Sequence, residues 1–139
     1  YQEKRDKMEL IRNTMPTDLK MIKKFRDGLV LNLKNKNIDE NLIFKIRLIL
    51  DELIINSYEH GNRYQYDKII DATFMMDDEF CLIKVKDEGE GIDYLFENDG
   101  LHDHGRGIKL VYSLADELII KDNIIIAFLK RDSKRKLYI

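Results

Sequence analysis

Residues 50–61 read LDELIINSYEHG. Three polar side chains, Glu52, Asn56 and His60, recur there at four-residue steps inside a largely apolar segment. Each such step advances about 400° around an α-helix, so the three form one slowly drifting stripe on one face. Leu50, Leu53, Ile54 and Ile55 cover the neighbouring faces and can pack on a core. A stripe of this kind either faces solvent or lines a cavity. An ionised carboxylate and a carboxamide cannot be buried without partners, and a metal ion or a ligand would be such a partner.

The bulk numbers narrow the class. The 139 residues suit one compact domain with a real core. Apolar residues make up 44% and charged residues 36%, the mark of a soluble globular protein with a strongly charged surface. A formal net charge of −2 argues against a general nucleic-acid binder. The one dense basic cluster, Lys130, Arg131, Lys134, Arg135 and Lys136, reads as a solvated tail. The single cysteine, Cys81, excludes an internal disulfide framework and fits a reducing, cytoplasmic compartment. It lies in an apolar strand-like run and reads as a core residue. No apolar run approaches the roughly 18 residues of a membrane span, and no secretory signal is visible. The chain starts at Tyr1 and not at Met, which points to a trimmed chain or a domain of a longer one.

Around the opening stretch the elements fall into order. Residues 7–15 read as a short strand, with Met8, Leu10 and Ile11 apolar and a polar tail at Arg12, Asn13 and Thr14. Pro16, Thr17 and Asp18 make a helix start, because proline fits a first turn and Thr or Asp can cap it. The helix runs to about Lys34, with Leu19, Ile22, Phe25, Leu29 and Leu33 on one side. Asp39 is a candidate N-cap for a second helix over residues 40–59, and Ile38 and Ile43 have the spacing of a hydrophobic staple. Gly61 and Asn62 would end that helix in a left-handed cap. Residues 68–76 and 80–86 are strands around a polar turn, and Cys81, Ile83 and Val85 alternate as a buried face does. Residues 92–104 read as a loop, with one short helical piece at residues 94–97. Residues 105–116 read as a third helix, with Ile108, Val111, Tyr112 and Ala115 on one side. Residues 117–121 and 123–130 are a last pair of strands around Asp122 and Asn123. Short turns imply antiparallel pairs, and three helices on one face of the sheet make a two-layer α+β sandwich.

Two more stretches carry chemistry. The 80–86 strand ends directly in DEGEG, Asp87 to Gly91. Asp87 can accept a hydrogen bond from an exocyclic amine, while Gly89 and Gly91 let the backbone approach a flat ring. Gly105 and Gly107 stand just before a helix, where free N–H groups and the positive end of the helix dipole face an anion such as phosphate. Arg106 between them can add a charge. Asn56 can offer its amide oxygen to Mg²⁺, a hard cation that takes few protein groups beside phosphate oxygens. Glu52 can then position or deprotonate a nucleophile. Each stretch alone matches many unrelated turns, and their order along the chain is far more specific.

Together the three resemble the ATPase superfamily of gyrase, chaperone, histidine kinase and MutL, with the Bergerat fold. Within it the chain looks most like the small anti-sigma factor serine-protein kinases of bacterial partner-switching systems. E-x-x-x-N-x-x-x-H-G from Glu52 to Gly61 is similar to that family's N box. DEGEGI from Asp87 to Ile92 is similar to its first glycine box, and HGRGIKLVYSLADEL from His104 to Leu118 to its second. The resemblance implies a Bergerat α+β sandwich, with a mixed, mostly antiparallel sheet under three helices. It implies one ATP-binding, kinase-like domain over residues 1–139, with a lid at about residues 93–104. It makes Glu52 the general base toward a partner's serine or threonine. It makes Asn56 the Mg²⁺ ligand, and Asp87 the adenine contact with Gly89, Gly91 and Ile92 beside it. Gly105, Arg106 and Gly107 would sit near the phosphates. ATP and Mg²⁺ are the implied cofactors. An anti-sigma-factor antagonist, a sigma factor and a second copy of the chain are the implied partners, with no nucleic acid and no membrane.

The chain also departs from the pattern. Many superfamily members carry a Gly-Thr turn between the last strands, with the Thr touching phosphate, and here Asp122, Asn123 and Ile124 stand there. The lid ends in His102 and His104, which lack the well-spaced partners of a metal site. Within residues 1–139 no helix pair with a phosphoacceptor histidine is expected ahead of the domain. Three readings stay open: a regulatory kinase, a non-catalytic nucleotide-sensing module that binds a protein, and the ATPase domain of a larger signalling protein.

Overall fold

Pro16 closes the first strand and Asp18 opens the first helix, and this junction fixes how helices and sheet stack. The computed structural model describes residues 8–90 and 105–131, with the backbone alone at residues 105 and 106. The order is β1 (Glu9–Pro16), α1 (Leu19–Asn35), α2 (Glu40–Asn56), a π-helical turn (Ser57–Gly61), β2 (Ile69–Met76), β3 (Phe80–Lys86), α3 (Gly105–Leu114), β4 (Glu117–Lys121) and β5 (Ile124–Lys130). The five strands form one sheet in the order β1-β2-β3-β5-β4. Every pairing among them is antiparallel. The fold is an α+β sandwich, with the expected three helices over one sheet.

The caps are local and chemical. The Asp18 carboxylate accepts from Lys20 N at 3.4 Å, and Asp39 accepts from Leu42 N at 3.1 Å. Each satisfies a first-turn N–H that has no partner within the helix. Thr17, the other candidate cap, is instead buried, and its hydroxyl donates to the Lys68 carbonyl at 2.7 Å.

Alternation builds the core. Ile70, Ala72, Phe74 and Met76 of β2 face the helices, as do Cys81, Ile83 and Val85 of β3 and Ile125, Ala127 and Leu129 of β5. Against them lie Ile22, Phe25, Leu29 and Leu33 of α1 and Ile46, Ile49, Leu50, Leu53 and Ile54 of α2. Ile108 and Val111 of α3 complete the layer.

Several expectations are corrected. In β1 the core-facing residues are Ile11 and Met15, while Met8 and Leu10 are exposed. The polar run Arg12–Asn13–Thr14 stays in the strand, as the reading of residues 7–15 expected, because main-chain pairing with Thr73, Ala72 and Asp71 needs no apolar side chain. On the uncovered face Arg12 forms a two-pronged contact with Asp71, at 3.1 and 2.6 Å. Leu19 stays partly exposed at the start of α1, and Tyr112 is 73% exposed on α3. α3 ends at Leu114, and its first turn already contains Gly105 and Gly107. The short helical piece placed at residues 94–97 and the lid lie outside the described residues.

The end of the second helix differs most. α2 stops at Asn56, and the chain continues through one π turn, in which Asn62 N donates to Ser57 O at 2.7 Å. Asn62 keeps a right-handed backbone (φ −87°). The left-handed residues come later, at Arg63 (φ 52°) and Tyr64 (φ 63°). The Tyr64 N–H then closes the segment on the Tyr58 carbonyl at 2.9 Å.

Candidate functional site

The site is assembled where the end of α2, the end of β3 and the start of α3 converge. Asp87 follows β3 directly and is 4% exposed. Its Oδ1 accepts from Gly89 N at 2.8 Å, and the Ser57 hydroxyl also bonds to its carboxylate. Burial pushes the Asp87 carboxyl up from its usual value of 3.8, and these two hydrogen bonds only partly offset that. A half-satisfied carboxylate in a dry place is suited to receive a hydrogen bond from a ligand.

Glycines make this convergence fit. A Cβ on Gly61 would collide with the Asp87 carboxylate, so the π turn and the acid touch without a side chain between them. A Cβ on Gly89 would meet Gly61 O at 2.5 Å and Gly61 Cα at 2.7 Å. The two motifs therefore pack backbone to backbone. Gly61, the last residue of the π turn, lies against Asp87, while Glu52 and Asn56 stay on regular helix. Such turns recur at functional sites.

At the other end, a Cβ on Gly107 would collide with Glu52 Oε1. The Glu52 carboxylate thus lies at the first turn of α3, where unbonded N–H groups collect. Asn56 stands one turn along α2 from Glu52 and next to Ser57. It is only 9% exposed, and no described hydrogen bond engages its carboxamide. A buried amide oxygen suits a hard cation that also holds phosphate. His60 Nε2 lies 3.6 Å from Glu59 Oε1, a local contact within the π turn.

The structure thus joins Asp87 to Gly61 and Gly89, and Glu52 to Gly107, with Asn56 between them along α2. Gly105 opens α3, and the side chain of Arg106 lies outside the described residues. Gly91, Ile92, His102 and His104 lie there too. Among the described residues no cluster of three or more His, Cys, Asp or Glu could hold a metal ion. A cavity of about 550 Å³ opens on the uncovered face of the sheet, lined by Met8, Met75, Phe80, Leu82 and Phe128. Asp116 and Glu117 at the far end of the second glycine box also line it, but none of Glu52, Asn56, Asp87, Gly89 and Gly107 does. We place the site at the motifs because charge, burial and glycine contacts meet there.

Sequence reasoning overlooked four contributors: Ser57, Asn62, Glu88 and Asn123. Ser57 and Asn62 had a legible signal, as polar residues bracketing a helix end in an apolar setting. Asn123 was read only as a turn residue in the place of a Gly-Thr turn, and its contact with Asp87 is set by the position of β5 beside β3. Asp87 N donates to Asn123 O at 3.2 Å, and Asn123 Nδ2 donates back to Asp87 O.

Comparison with known families decides the class. The histidine kinase-like ATPase domain matches this chain over residues 15–126. The chain belongs to that family. The matched region holds Glu52, Asn56, Asp87, Gly89 and Gly107, and so spans the whole described site of the ATPase domain. It also takes in Asn123, where many relatives would carry the Gly-Thr turn. No curated protein matches the chain. No described helix of this histidine kinase-like ATPase domain is long and apolar enough to cross a membrane.

Proposed function

We propose that this histidine kinase-like ATPase domain binds Mg·ATP and works as a regulatory serine/threonine protein kinase of the anti-sigma factor type. One observation carries the reading. The start of α3 abuts the Glu52 carboxylate, while the buried Asp87 carboxylate meets Gly61 at the other end of the same stretch from Glu52 to Gly61. A nucleotide has an amine-bearing base at one end and an anionic chain at the other, and this polarity matches it.

In this reading Asp87 accepts the adenine amine, with Gly89, Gly91 and Ile92 beside the base. Asn56 holds Mg²⁺, and the N–H groups at Gly105, Arg106 and Gly107 face the phosphates. ATP, when bound, supplies the phosphoryl group. Glu52 takes the proton of a partner's serine or threonine hydroxyl as its oxygen bonds to the terminal phosphorus and ADP departs. The acceptor is an anti-sigma-factor antagonist, and in its other state the protein holds a sigma factor. It does so as a homodimer whose protomers each form one domain. Glu52→Gln should retain ATP binding and lose phosphotransfer to such an antagonist by at least about 100-fold, the usual span of general-base catalysis. Phosphotransfer undiminished in Glu52→Gln would refute the kinase reading.

A second reading has its own support. Asn123 spends its amide on the Asp87 carbonyl and stands in place of a phosphate-contacting Thr. That favours a non-catalytic module that senses nucleotide while holding a protein, alone or as the ATPase domain of a larger signalling protein. Partner binding unaffected by ATP and by Asn56→Ala would favour it over the kinase. The full open reading frame tells whether further domains are attached.

A further inference from the structure

Asn62 is completely buried, so it cannot touch a ligand, yet it uses every part of its carboxamide. Its Nδ2 donates to Thr17 Oγ1 at 2.8 Å and to the Ile69 carbonyl at 3.1 Å. Its Oδ1 accepts from Glu88 N at 2.8 Å. Thr17 passes the link on to the Lys68 carbonyl at 2.7 Å. Glu88 returns it, since its Oε2 accepts from Ile69 N at 2.6 Å. One buried amide therefore ties together the β1–α1 junction, the end of the π turn, the start of β2 and the backbone beside Asp87. From the opposite side, Asn123 bonds to both the N–H and the carbonyl of Asp87.

We infer that Asn62 and Asn123 are positioning residues that clamp the 87–88 backbone and so aim the Asp87 carboxylate at the adenine amine. The inference rests on the reading of Asp87 as the amine acceptor. Asp87 has a short side chain with two rotatable bonds. Its aim is set by its backbone, and that backbone is held by these two amides. A shift of a few tenths of an ångström at residue 88 would spoil the hydrogen bond to the amine and leave the phosphate end of the site unchanged. The clamp thus governs which base is bound, more than whether a nucleotide binds.

The test compares ATP with inosine triphosphate, which carries an oxygen where ATP carries the amine and is the same in ribose and phosphates. Kd for each is measured by calorimetry on wild type, Asn62→Ala and Asn123→Ala, with folding verified by circular dichroism. Wild type should prefer ATP. Asn62→Ala should shrink that preference about tenfold, and Asn123→Ala, which keeps its main-chain bond, about threefold, the scale of one hydrogen bond. Affinity for inosine triphosphate should stay within about twofold of wild type in both, since no phosphate contact is lost. Asn123 is only half-buried, in the turn between β4 and β5, so its variant decides the matter if Asn62→Ala does not fold. A wild-type ratio in either folded variant overturns the inference, as does a parallel loss of both nucleotides, which is what a purely structural role produces. Equal binding of the two nucleotides by wild type would instead refute the reading of Asp87 itself, and the clamp with it.

Discussion

Asp87 sits where its charge is costly. Its folded-state pKa is raised above the ordinary 3.8 by burial, so the folded protein binds that proton more tightly than the unfolded chain. The contribution of Asp87 to stability is therefore fully present below pH 3.8 and is lost as pH rises through the raised value. At neutral pH the ionised carboxylate weakens the fold. Asp87→Asn should accordingly melt at a higher temperature than wild type at pH 7, with the gap closing toward pH 4, while nucleotide binding is lost. Differential scanning calorimetry at the two pH values reads this directly. Gly107 gives a second prediction at this scale. A methyl there must displace the Glu52 carboxylate, the free end of a flexible side chain, so Gly107→Ala should fold normally and lose turnover by about tenfold or more, the cost of a misplaced catalytic group. Steady-state phosphotransfer beside a melting curve separates the two effects. Cys81 gives the third. Burial lifts its thiol to about 11, so it should resist thiol reagents at pH 8 and react only when the protein is unfolded.

The elements show which features of the fold a sequence reveals. Cys81, Ile83 and Val85 announce their strand because one face meets the core and the other does not. Ile22, Phe25, Leu29 and Leu33 announce α1 for the same reason at helical period. Met8 and Leu10 mislead because β1 is an edge strand, and their side of it faces the uncovered side of the sheet. Tyr112 misleads because an aromatic at helical spacing need not face inward. The π turn leaves no trace in the periodicity, since one extra residue at a helix end looks like an ordinary termination. Yet its last residue, Gly61, lies against Asp87. The candidate site was legible wherever a motif supplied the residue, as at Glu52, Asn56 and Asp87. The tertiary hydrogen bonds of Asn62 and Asn123 were not legible, although Asn62 stood out as a polar residue at a helix end and Asn123 as a turn residue. α2 bears the site and also fills the core, so it tolerates little. Leu53 is fully buried beside Glu52, and Leu53→Ala should cost about 3 kcal/mol by chemical denaturation, in the range for a buried leucine cut to alanine. Nucleotide affinity should fall with it, because the helix end that touches Asp87 would shift.

At the scale of the whole molecule, the sheet supplies a rigid base and the helices bring three distant stretches of chain onto one edge of it. β3 sits in the middle of the strand order and delivers Asp87 from its end. α2 packs against it and against α3, and carries Glu52 and Asn56. The match to the histidine kinase-like ATPase domain spans that entire arrangement. The central claim is that the site binds ATP through Asp87. Its most direct test is calorimetric titration of ATP, with and without Mg²⁺, into wild type and Asp87→Asn. The account predicts saturable binding to wild type, tightened by Mg²⁺, and none to Asp87→Asn. Equal binding to both proteins, or no binding to wild type at millimolar ATP, would contradict it.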